Sequence, residues 1–160
     1  MPIPEHNHFF CVQDNAINGY KILDHGKKDL YEVIAKTAAI RSHFRVRRMD
    51  GVAVATINQG QLEHKYEILG VNDQLLCNLE YKQEKIFLDI TGQKYEAKAI
   101  ARAKEFIFNN SSNQMVMTVD KKLVSKSDNY HIVFVEDFPS LIAAVIGVIL
   151  DDIYHKGLIR

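Results

Sequence analysis

Arg41, His43, Arg45 and Arg47 recur at every second position, with Arg48 adjoining the last. Alternate residues of an extended strand share one face, so this spacing predicts a single outward cationic stripe. A row of guanidinium groups can fork onto phosphate oxygens with paired hydrogen bonds. Arg41, His43, Arg45, Arg47 and Arg48 are therefore the candidate binding residues, and an anionic headgroup is the chemistry they would take. The same pattern also describes a solvated outer face whose cations meet carboxylates on the next strand.

Other reactive residue types offer less. Asp151, Asp152 and His155 fall at spacings that share a helix face, but three ligands of mixed hardness at a helix end make poor metal chemistry, and no metal or cofactor is expected. They are also the only material for a hydrolytic site. His6 and His8 lie in a terminal stretch where such residues often serve no purpose. Cys11 and Cys77 are far apart and form no CxxC pair, so both read as core thiols. No GxSxG, HExxH, phosphate-binding loop or dinucleotide glycine fingerprint occurs, and a non-enzymatic chain is expected.

The elements that must position these residues are strands. Apolar and polar residues alternate over 9–12, 19–23, 43–47, 52–57 and 65–68, separated by turn-forming sequences such as His25-Gly26, Asp50-Gly51 and Thr91-Gly92. Asp50-Gly51 is the sharpest hairpin signal, since both residues tolerate positive φ. The stretch 95–104 has a helix-favouring composition, yet Tyr95, Ala97, Ala99, Ala101 and Ala103 fall at every second position, which predicts a strand with one small-residue face. An internal repeat is visible. Tyr31-Glu-Val, Phe44-Arg-Val, 52–57 and Tyr66-Glu-Ile echo Tyr95-Glu-Ala, Phe106-Ile-Phe, 115–119 and Tyr130-His-Ile. Two such meanders closing on each other would make a barrel without edges.

One segment is different. Residues 138–150 carry no charge and are bounded by Glu136-Asp137 and Asp151-Asp152. The run is shorter than the roughly 20 residues a spanning helix needs, and a helix apolar on every side must be buried in protein. Ala143, Ala144 and Gly147 form its small side, which is expected to face the alanine-rich strands, while larger aliphatics fill the lumen. Glu136, Asp137 and Pro139 suit its start. Asp151 and Asp152 suit its end badly unless they cap strands at the rim or are offset by Lys156 and Arg160.

The bulk properties exclude several classes. At 160 residues, 1–160 reads as one domain. Twenty basic residues balance twenty acidic ones, so no global field draws in nucleic acid, and a charged partner must be met by a local patch. The first residues contain neither a basic nor an apolar signal region, and the cysteines fit a reducing compartment, so a cytoplasmic protein without a transmembrane segment is expected.

The stretch from Tyr130 to His155, with its apolar run and closing Asp-Asp-Ile-Tyr-His, resembles the LURP-one-related family. Lys65-Tyr-Glu-Ile, Lys94-Tyr-Glu-Ala and Val116-Met-Thr-Val-Asp-Lys-Lys are also similar, and the resemblance covers about Phe9 to His155. It implies the Tubby C-terminal-like fold, shared with phospholipid scramblases: a closed antiparallel barrel of about twelve strands around a central hydrophobic C-terminal helix. The resemblance implies no catalytic motif. Tubby relatives bind phosphoinositide headgroups through basic residues, and scramblase relatives act at membranes.

Together these readings predict a mainly β, non-enzymatic binding or signalling module, with an unknown protein or anionic phospholipid headgroups as partner. In the lipid alternative it would sit peripherally at a membrane. A scramblase in which the helix leaves for the bilayer is physically poor, because the run is short and its withdrawal would forfeit the core.

Overall fold

The computed structural model describes residues 3–37, 39–62, 64–100, 104–124 and 127–155. The strands are β1 (His8–Asp14), β2 (Gly19–Leu23), β3 (Asp29–Ala35), β4 (His43–Arg48), β5 (Ala53–Gln59), β6 (Lys65–Leu69), β7 (Leu75–Lys82), β8 (Lys85–Ile90), β9 (Gln93–Ile100), β10 (Glu105–Asn110), β11 (Met115–Val124) and β12 (Ser127–Phe134), followed by α1 (Ser140–His155). Each strand pairs antiparallel with its sequence neighbour, and β12 returns to β1 with His8 opposite Val133. The barrel is closed and, among the described residues, has no free edge on which another strand could pair.

Period-two alternation sets which residues point inward. Phe44 and Val46 on β4, Tyr66 and Ile68 on β6, Phe106 and Phe108 on β10, and Tyr130 and Ile132 on β12 are all buried. The internal repeat maps onto the barrel as β3 to β6 against β9 to β12. It is imperfect at its first members, since Tyr95 is buried and Tyr31 only half-buried. Residues 93–100 are strand despite their helix-favouring composition, because burial of Tyr95 and Ala97 on one face outweighs intrinsic propensity. Ala101 and Ala103, expected to continue that face, lie outside the described residues.

The turns correct one expectation. Gly51 alone takes positive φ in the β4–β5 connection, at 91°, and Asp50 contributes through its carboxylate, which accepts from the Val52 amide at 3.1 Å. Among the described residues, consecutive positive-φ residues occur instead in the hairpin turns at Gln83-Glu84 and Thr91-Gly92, and at Asn72-Asp73 in the longer β6–β7 connection.

α1 fills the lumen. Residues 142–150 are all buried, and together with the inward side chains of the strands they form one hydrophobic core. The small side of the helix does not face the alanine-rich strand. α1 packs most closely on β12 and β1, then β2, and a Cβ placed on Gly147 would lie 3.0 Å from the Cys11 Cβ and 3.3 Å from the Tyr130 Cβ. The close approach is thus set by a helix glycine against a β1 cysteine. Among the described residues, no helix is long and apolar enough to cross a membrane.

Candidate functional site

β4 delivers the cationic stripe to the outer wall, but only part of it remains open. His43, Arg45 and Arg47 point outward between the buried Phe44 and Val46. Arg41 is not on the strand. It sits in the bend before it, where Ser42 turns inward and its hydroxyl donates to the Asp152 carboxylate at 2.9 Å. Arg47 lies across from Glu32 on β3 and pairs with it at 3.1 Å. Arg48 turns onto Asp50 at 2.8 Å, and that hydrogen bond, helped by the Val52 amide, holds the Asp50 carboxyl below its usual range. His43 Nδ1 is hydrogen-bonded to the Asn58 side chain. Arg45 is exposed, flanked in register by Ile34 and Thr56, and has no carboxylate partner among the described residues. The residues available to a phosphate are therefore Arg45 and, at the strand's approach, Arg41 beside the fully exposed Ile40.

At the same end of the barrel the helix terminates in a buried polar cluster. Asp151 accepts hydrogen bonds from Tyr20 on β2 and, at 2.8 Å, from Tyr130 on β12, and His155 approaches it at 3.2 Å. Asp152 accepts from Tyr66 on β6 and from Ser42. The adjacent carboxylates thus diverge to different strands. Among the described residues no three His, Cys, Asp or Glu side chains are placed to hold a metal. Burial, reinforced by the Asp151 charge, pushes the Tyr20 hydroxyl far above its ordinary pKa, so it stays protonated and donating. A cleft of about 230 Å³ opens beside this cluster, lined by Gln13, Asn18, Tyr20, Ser42, His43 and Asp152.

A larger concave surface of about 740 Å³ runs along the outer wall of β6 to β9 under the β5–β6 connection, with Leu62, Phe87, Glu67 and Lys94 among its lining. Leu62 and Phe87 are 53% and 37% exposed, and charge pairs frame them: Lys65 with Glu80 at 3.6 Å, and Lys94 with Asp89. Lys94 and the Gly92 amide hold the Asp89 carboxyl low. Cys11 and Cys77 are buried and free. Burial raises both thiols, Cys77 to about 12, which removes them as nucleophiles near neutral pH.

No protein-family model matches the chain, and no curated protein does. Among solved structures, the X-ray structure of a protein from Arabidopsis thaliana superposes with a TM-score of 0.70 at 14% identity, covering 93% of each chain. The likeness is one of fold.

The tyrosines that hold the helix end were not legible as a site. Their inward placement followed from alternation, but Tyr20 and Tyr66 are 131 and 86 residues from the carboxylates they meet. The signal that could have found them is the acidic pair itself, misplaced for the helix dipole and so in need of buried donors.

Proposed function

We propose that the chain is a non-enzymatic binding or signalling module of the LURP-one-related, Tubby C-terminal-like kind, working in the cytoplasm and recognising its partner on the outer wall of the barrel. The observation that carries this reading is the filled lumen. Barrels that hold small ligands do so in an interior cavity, and here residues 142–150 of α1 occupy that space, every one buried. Titration with a fluorescent fatty acid such as cis-parinaric acid tests it. The native protein should give no saturable signal. One-to-one uptake would place a ligand inside and overturn the reading.

A second reading, an anionic phospholipid headgroup on β4, rests on Arg45. Its exposure without a carboxylate partner sets it apart from Arg47 and Arg48, and Arg41 next to exposed Ile40 adds a second cation with an apolar neighbour. Co-sedimentation with neutral, anionic and phosphoinositide vesicles at low and high salt decides it. Salt-sensitive binding to anionic vesicles, abolished by Arg41→Glu with Arg45→Glu at an unchanged melting temperature, is the expected result. Absence of binding to every vesicle would retire the lipid reading and leave a protein partner.

A further inference from the structure

The barrel closes where β1 meets β12, and two histidines meet across that seam with ring centroids 5.4 Å apart and planes tilted by 34°. His8 and His131 point outward from adjacent strands, His8 opposite Val133 and His131 opposite Phe10. Their nearest ring nitrogens, His8 Nδ1 and His131 Nε2, are 3.3 Å apart. A hydrogen bond between two neutral imidazoles accounts for that separation, with one nitrogen protonated and the other accepting. So does a shared metal ion. Two imidazole nitrogens each about 2.0–2.1 Å from a tetrahedral zinc stand roughly 3.3–3.4 Å apart.

Three features favour the ion. The His131 ring is braced, stacked on Phe10 with centroids 4.7 Å apart and planes 9° from parallel, so little order has to be imposed on binding. Lys27 is drawn onto the Phe10 ring, with Nζ 3.7 Å from its centroid. Asp120 on β11 lies opposite His131 in register, on the far side from Phe10, where a carboxylate lowers the cost of a nearby positive charge. We propose that His8 and His131 form a two-imidazole clasp for a borderline divalent cation of the zinc, nickel or copper class. Because no group of three such ligands exists among the described residues, water completes the coordination and the ion exchanges with solvent. The clasp joins residues 123 positions apart, the first strand to the last, so an ion bound only when the seam is closed stabilises the folded barrel.

Chelator-stripped full-length protein titrated with zinc or nickel salts, followed by calorimetry and thermal melting, tests the clasp. One equivalent should bind and raise the melting temperature by a few degrees. His8→Asn and His131→Asn should each weaken binding at least tenfold and remove the metal-dependent rise, whereas His6→Asn with His25→Asn should leave both intact. His8→Asn keeps the stack of His131 on Phe10, so it carries the test even where His131→Asn melts early. The absence of binding in the wild type, equal affinity in His8→Asn, or loss in the His6 and His25 variant would overturn the proposal.

Discussion

Tyr130 donates its hydroxyl to Asp151 at 2.8 Å near the C-terminal end of α1, with Asp151 only 1% exposed. The repeat-equivalent tyrosine, Tyr66, meets the next residue, Asp152. Two corresponding strands of the two meanders therefore hold the end of one helix through adjacent carboxylates.

Removing that acceptor should be costly. Asp151→Ala removes the acceptor that the Tyr20 and Tyr130 hydroxyls share, and a buried donor that loses its acceptor costs about 1–3 kcal/mol. A loss of roughly 3 kcal/mol in urea unfolding is expected, against about 1–2 kcal/mol for Tyr130→Phe, where Tyr20 and His155 still reach the carboxylate. Equal losses in the two variants would show that Tyr20 contributes nothing.

Gly147→Ala is expected to destabilise the protein although alanine is the better helix former by about 1 kcal/mol. The new Cβ would sit 3.0 Å from the Cys11 Cβ, which is fixed to a barrel strand, and overpacking of a dense core costs about 1–3 kcal/mol. A raised denaturation midpoint would show that β1 yields.

Stability should fall in alkali. The Cys77 thiol is raised from 9.0 to about 12 by burial, so the folded state keeps its proton where the unfolded chain has lost it. This contribution is fully present below pH 9 and is lost as pH rises towards 12, at about 1.4 kcal/mol per pH unit. Cys11 and Tyr20 are raised in the same direction. Cys77→Ala should flatten the decline between pH 9 and 12, measured by urea midpoints. An unchanged slope would contradict the assignment.

Much of the fold is legible because it follows from short-range periodicity. Alternation identified β1, β2, β4, β5 and β6 and the strand character of 95–104 against its helical composition, while β7 and β8 were not read from it, and the uncharged run 138–150 identified the lumen-filling helix. What escaped depends on chain-wide geometry. Which strands face Gly147 is decided by how the helix leans within a closed barrel, and nothing in the alanine pattern of β9 records that lean. The stripe on β4 was legible as a face, but its partial neutralisation depends on strand register, which places Glu32 opposite Arg47 and only Ile34 opposite Arg45. The His8–His131 pair needed the closing strand pair, which joins the two ends of the chain.

Native-state hydrogen exchange of the α1 amides, with and without anionic vesicles, shows whether the lumen stays occupied while recognition takes place outside. Amides of residues 142–150 should be among the slowest in the chain, exchanging only through global unfolding, and vesicles should leave them unchanged. Exchange faster than that of the barrel strands, or acceleration by vesicles, would mean that the helix leaves its barrel and that the lumen is not permanently filled.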